Sequence, residues 1–426
     1  MLDRTIAPGF RPIKKVTIPQ VDSSVLSNGR KIFFLNDPAV EVFKIDLVIP
    51  CGSWFAENYN LISFALKMLN EGTTNRNAHQ LAEAVDFIGS FSEFSPGFDQ
   101  STISFYGLSR FFDKNLTLLS EVISNPSFDE QQFETLKKKE VQRLKLNFEK
   151  SSYLSSVALR SSLFGLDHPY GKSNSVEKIQ AVQLTEVKAF FASNYSDFDI
   201  MVSGKLPDNF LEVIELNFGK SQVKKVSLPE YQIVNTVGHL NEIRKPAFVQ
   251  SSIKIGKVLF NRTHPDYMKF TVTNELFGGF FGSRLMKNIR EEKGFTYGIH
   301  SHLYSLNQEG YFSIGTDVNG ENEQATIDEI FKELVKLQQE PVGENELETV
   351  KNYMAGSFAG SVNSPFAIIE KFKAMYYQGM DMSFYEQYLN SVYEVTSEDI
   401  SEMVNTHLQP DSFYTCIAGP EKSSAI

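Results

Sequence analysis

Arg290 and Tyr297, seven positions apart, form the residue set with the clearest chemical use. Arg290 falls near the end of a helix expected over 283–293, and Tyr297 opens a strand expected over 297–306, with Gly294 between them. That arrangement brings a permanent cation and a phenol to one end of a sheet. Both are donors, so both can meet the backbone carbonyls of an extended peptide, and a phenol can stabilise a growing oxyanion. The spacing equally fits a surface Arg and a core Tyr, so residue types alone leave both readings open.

The seven histidines permit a full audit. His79 and Glu83 lie at i and i+4 on a helix expected over 78–88 and could face one ion. A metal site needs a third protein ligand and none is close in sequence, so an exposed polar face is the plainer reading. His300 and His302 alternate on one strand and point to one side, as in some zinc enzymes; without a further ligand they read as a wet or partner-facing strand. His168 and His264 each precede Pro and suggest loop or cap roles, whereas His239 and His407 stand alone. The run Gly278-Gly279-Phe280-Phe281-Gly282 lacks the Lys-Ser/Thr ending of a phosphate loop and does not fit the dinucleotide pattern. It reads as a tight helix-to-helix turn or as a place where another backbone comes close.

These residues need a scaffold, and the composition supplies one. The 426 residues are 42% hydrophobic and 22% charged, which is ordinary for a globular chain and excludes a disordered or fibrous one. A net charge of -11 argues against nucleic acid, whose phosphates call for the opposite sign. Two cysteines, Cys51 and Cys416, make no disulfide framework or structural zinc site and read as small buried hydrophobes. The first residues lack a signal-peptide apolar region, and no apolar run is long enough to span a membrane. The expectation is a cytoplasmic protein that does not use a membrane.

The elements repeat. In the first half, a hairpin over 22–35 turns at Ser27-Asn28-Gly29. A strand over 42–49 follows, then helices over 61–69 and 78–88, a strand pair around Pro96-Gly97, and helical stretches over 108–122 and 129–164. The second half runs in the same order. It has a strand over 248–255, helices over 266–276 and 283–293, strands over 297–306 and 310–317, and helical stretches over 322–337 and 344–376. Each half closes with a helix leading to a strand, over 200–204 and 413–419. Matching points are 205 residues apart at Gly89/Gly294 and 215 at Gly204/Gly419, as loop insertions in a duplicated domain would produce. The expected fold class is α+β, with two homologous α/β-roll domains, each a mainly antiparallel sheet covered by helices. The expected bounds are 1–221 and 242–426, with a linker over 222–241.

This duplicated plan, together with GGFFGSRLMKNIREEKGFTYG (278–298), resembles the pitrilysin/insulinase family of zinc peptidases, near its bacterial half-size members. NEGT (70–73), HPYGK (168–172) and VSGK (202–205) fall where that family has similar segments, and the resemblance spans nearly the whole chain. It implies two chains closing as a clamshell. Active members carry an inverted HxxEH motif just before a Gly-Thr, and a further Glu ligand downstream. With Gly72-Thr73 setting the register, the two His positions hold Ser63 and Lys67, the catalytic Glu position holds Leu66, and the distal Glu falls at about Arg143. A protonated Lys has no lone pair to give, Arg would repel a dication, and Leu66 cannot activate water.

The resemblance therefore implies no zinc cofactor in this chain and no peptide hydrolysis by it alone. It also matches Arg290 and Tyr297 to a pair that reaches the bound peptide from the non-catalytic half. The implied partner is an HxxEH-containing homologous subunit that holds zinc, with Tyr297 as oxyanion donor in trans and both residues binding peptide substrate. In isolation a homodimer or monomer is expected. Two alternatives compete: an inactive structural or peptide-binding scaffold, like core proteins of respiratory complexes, and a zinc peptidase built on His300/His302.

Overall fold

The computed structural model describes residues 12–225, 229–233 and 239–422. The first sheet has six strands: β1 (Asp22–Val25), β2 (Lys31–Asn36), β3 (Val42–Ile49), β4 (Phe91–Pro96), β5 (Ser101–Leu108) and β6 (Asp199–Gly204). They run in the order β1-β2-β6-β3-β5-β4, with β2 and β6 parallel and the remaining neighbours antiparallel. The β1–β2 hairpin turns where Asn28-Gly29 predicts it, with Gly29 at φ 84°, a conformation open to glycine. The second half supplies β7 (Leu240–Arg244), β8 (Gln250–Leu259), β9 (Ile299–Ser305), β10 (Gly310–Asn319) and β11 (Tyr414–Gly419). Here β11 is parallel to β7 and antiparallel to β8, and β9 pairs antiparallel with β10.

The duplication is therefore visible as topology. The parallel-then-antiparallel set β2-β6-β3 returns as β7-β11-β8, and the antiparallel pair β5–β4 returns as β10–β9. Helix ends repeat too: Gly89 and Gly294, matched in the sequence, both adopt left-handed φ, 62° and 67°. The fold is α+β with two homologous halves.

By contacts, the chain groups into Pro19–Gly256 with Tyr414–Ile426, and Met1–Ile18 with Lys257–Phe413. This differs from the grouping by duplication, whose boundary is expected over 222–241; within that stretch 226–228 and 234–238 lie outside the described residues. The helix Ser151–Phe164 explains much of the difference. Its buried residues are Ser155, Ala158, Leu159, Ser161, Ser162, Leu163 and Phe164, and the small ones among them let the helix approach a sheet closely. Ser155 Oγ lies 3.0 Å from Ser252 Oγ, and Ser162 Oγ lies 3.6 Å from Cys416 Sγ, which ties β8 and β11 to this helix. Segment 12–18 likewise joins the second-half helices: Ile13, Val16 and Ile18 pack on a cluster of Ala355, Phe358, Met375, Tyr385 and Leu389.

Two long helical stretches expected from the sequence are each a pair of helices. The stretch 129–164 breaks into Glu130–Phe148 and Ser151–Phe164, because Lys150 is extended (φ -103°, ψ 119°). The stretch 344–376 breaks into Glu344–Gly360 and Pro365–Tyr376, where Pro365 cannot donate within a helix and Ser364 caps the new one by accepting from Ala367 N. Cys51 and Cys416 are free and buried, and burial pushes their thiols up to about 12 and about 11, which keeps them protonated and inert. Among the described residues no helix is long and apolar enough to cross a membrane.

Candidate functional site

Arg290 lies in the π-helical segment Met286–Glu292, and the wider winding shows in Lys293 N donating to Asn288 O, five residues back. Wide turns of this kind are frequent where a helix presents a functional residue. The guanidinium sits 4.5 Å over the ring of Phe281, itself largely exposed. Tyr297 is 94% exposed and, among the described residues, has no hydrogen-bond or ring partner. Thr296 fixes the backbone beside it, its Oγ1 donating to Asp317 O at 2.8 Å.

The glycine run is not a simple helix-to-helix turn. Gly278 lies inside a second π-helical segment, Glu275–Gly279, and a Cβ there would come within 2.6 Å of Ser301 Oγ on β9. The close approach is therefore to a strand, and Ser301 Oγ completes it by donating to Asn274 Oδ1 at 2.9 Å. This anchors the chain that leads into the helix carrying Arg290.

The histidines separate as expected except His239, which stacks on Tyr414, and His407. His79 and Glu83 form a 3.3 Å pair on an exposed helix face. His300, His302 and Tyr304 alternate on the exposed side of β9, with His302 edge-on to Tyr304 and Tyr304 stacked on Tyr311. Among the described residues no group of three or more His, Cys, Asp or Glu is placed to hold a metal. His407 does not stand alone: its Nε2 is 2.8 Å from Asp266 Oδ2, and His264 accepts from Asp266 N while stacking on Phe260. Folding brings together what 141 residues of sequence separate.

Ser63, Lys67 and Arg143 line a single cavity of about 450 Å³. The helix Asn60–Lys67 supplies the first two and the helix Glu130–Phe148 the third. Leu66 turns the other way, fully buried in the core of the first half. Gly72, at φ 118°, ends this stretch, and Thr73 Oγ1 donates to Glu121 at 2.6 Å. Lys67 Nζ is 2.7 Å from Glu140, which also pairs with Arg143. Burial pushes the Lys67 ammonium down and Arg143 adds repulsion, while the bond and charge of Glu140 oppose both. The donor set does not fit zinc. The nearest carboxylate is engaged by two cations, and the hydroxyl of Ser63 is a weak ligand beside them.

The sequence did not single out the cavity's other polar members. Tyr59, Tyr153, Arg160 and Lys172 also line it. Burial raises both phenols, Tyr59 to about 12, so both remain hydroxyl donors. Arg160 was detectable only as a lone cation in the apolar and Ser-rich run SSVALRSSLF.

Two family models match the chain: "Insulinase (Peptidase family M16)" over residues 31–163 and "Peptidase M16 inactive domain" over 181–354. Among curated relatives, an "Uncharacterized zinc protease YmxG" of Bacillus subtilis is 24% identical over 79% of this chain and 83% of its own length. A "Non-peptidase homolog YmxG" of Helicobacter pylori is 22% identical over 84% of this chain and 83% of its own. The crystal structure of a peptidase M16 inactive domain from Pseudomonas fluorescens superposes with a TM-score of 0.86 at 24% identity, covering 96% of this chain and all of that one. Fold, family models and the chemistry of the cavity agree: this chain belongs to the insulinase family, peptidase family M16, as a member without the means to bind zinc.

Proposed function

We propose that this chain is the non-zinc-binding subunit of a two-chain metallopeptidase and supplies Arg290 and Tyr297 to a peptide held by a homologous HxxEH-bearing partner. The observation that carries this reading is a phenol 94% exposed and without a partner, close in sequence to a stacked guanidinium that no carboxylate neutralises among the described residues. Neither side chain contributes much to the core, so stability gives no reason for either.

Zinc in the partner would supply activated water. The part of this chain is to bind and orient. Tyr297 Oη donates to the peptide carbonyl oxygen as negative charge grows on it, and Arg290 holds a neighbouring backbone carbonyl in register. Losing one donor to a developing oxyanion costs roughly 3–4 kcal/mol, about a hundred- to a thousandfold in turnover. Tyr297→Phe removes only the hydroxyl, so folding and assembly persist while kcat falls by about that factor. Arg290→Ala acts more through KM, because its contact exists in ground and transition states alike. The assay mixes each variant with the wild-type partner and follows cleavage of a quenched fluorescent peptide. Full activity in both variants, with assembly verified, would leave a scaffold as the better reading, a role that the non-peptidase relative favours.

A further inference from the structure

The cavity beside Ser63 and Lys67 has a feature that loss of zinc ligands does not explain. Lys67 and Arg143 share Glu140, but two further lining cations, Arg160 and Lys172, have no carboxylate within ion-pair distance among the described residues. Glu57 and Asp167 act on Lys172 only from farther away, and its Nζ donates instead to Ala56 O at 3.3 Å. Arg160 Nε is buried with no hydrogen-bond partner, and its guanidinium lies 6.0 Å from the Phe98 ring. Ser53, which also lines the cavity and is 7% exposed, has a buried hydroxyl without a partner. Leaving such donors unsatisfied is costly, and more so for a charged one. Those two buried atoms do not face the open cavity; what its lining offers a ligand is four cations, Lys67, Arg143, Arg160 and Lys172, and no carboxylate, which suits an anion.

We propose that this cavity binds a carboxylate carried on an apolar body. The carboxylate accepts from Arg160, whose planar fork matches two oxygens, with Lys172 and the Tyr59 and Tyr153 hydroxyls as further donors. The body of the ligand lies against Ile62, Phe94, Phe98 and Val157. These apolar walls favour an organic acid over inorganic phosphate, and about 450 Å³ falls within the ~300–1,000 Å³ of small-ligand pockets. The lining residues all fall within 53–174, so the site includes neither Arg290 nor Tyr297.

The test uses the full chain alone and two titrants: N-acetyl-Ala-Phe with a free carboxylate and 3-phenylpropionate. N-acetyl-Ala-Phe amide is the uncharged control. The reporter is the chain's one tryptophan, Trp54, next to Ser53, checked by calorimetry. Binding of the acids at least about tenfold tighter than the amide is expected, as a charge-assisted contact requires. Arg160→Gln should weaken acid binding about tenfold or more and leave the amide unchanged; Lys172→Gln should do so to a smaller extent. If 3-phenylpropionate binds as well as the peptide acid, the natural ligand is a small organic acid; if the peptide acid binds much tighter, it is a peptide C-terminus. Thermal unfolding establishes that each variant is folded, and Arg160→Lys, which keeps the charge but loses the fork, should retain part of the affinity. Equal binding of acid and amide, no binding at millimolar acid, or unchanged affinity in folded Arg160→Gln and Lys172→Gln would each overturn the proposal.

Discussion

At the scale of single residues, function and stability ask for opposite environments. Tyr297 is solvated and unpartnered, as its proposed role requires, whereas His168 is held by its surroundings. His168 is buried, stacked on Phe164 and edge-on to Trp54, and its Nδ1 accepts from Tyr170 N at 3.2 Å. Burial, with Lys172 adding repulsion, pushes the imidazole from 6.5 down to about 4. The unfolded chain therefore takes up this proton first. Stability from this group is level above pH 6.5, falls as pH drops from 6.5 toward about 4, and levels again below that. The slope is at most about 1.4 kcal/mol per pH unit. His168→Asn keeps an acceptor for Tyr170 N but does not titrate. Its urea midpoint should vary less between pH 4 and 6.5 than that of the wild type, and parallel profiles would remove His168 as the cause.

At the scale of elements, β3 shows how an ordinary strand pattern can hide charge. Phe43, Ile45, Leu47 and Ile49 alternate into the core, as period two requires. The opposite face is also buried and holds Lys44 and Asp46, 2.9 Å apart, with Ser104 Oγ donating to Asp46 at 2.6 Å. Breaking a buried ion pair by removing one partner costs about 3–5 kcal/mol. Asp46→Ala should lose about that much in urea unfolding, and Lys44→Met with Asp46→Leu should recover most of it. A double variant no better than the single one would mean that packing, not charge, sets the cost. The broken helices teach a related lesson. Pro365 marks one break, which the single stretch expected over 344–376 passed over, whereas the break at Lys150 has no Pro or Gly to announce it.

At the scale of the whole molecule, the duplicated halves have diverged in use. The first half keeps a cavity where the family resemblance sets its zinc motif, relined by Ser63, Lys67 and Arg143. The second half carries the exposed Tyr297 and the stacked Arg290. Our reading predicts a mixed dimer with an HxxEH-bearing homologue, and a homodimer or monomer when the chain is made alone. Light scattering on the two chains, separately and mixed, checks this; absence of any mixed species would count against the two-chain reading.

Local patterns carried much of this protein. The Asn28-Gly29 turn, the paired Gly89 and Gly294 caps and the places of most strands along the chain were legible, because each depends on backbone preferences within a few residues. The loss of the family's zinc ligands was also legible, since Lys67 and Arg143 stand where the resemblance sets two of them and neither can donate to the metal. What only the tertiary structure decided is long-range. Glu140 bridges Lys67 and Arg143, His407 meets Asp266, and Arg160 and Lys172 share a cavity while lacking a carboxylate. Segment 12–18 packs with helices more than 300 residues away, and the Ser-rich helix Ser151–Phe164 binds the strands of the second half. Such pairings are set by packing and desolvation between distant segments, and no period or spacing along the chain encodes which charge will find which partner.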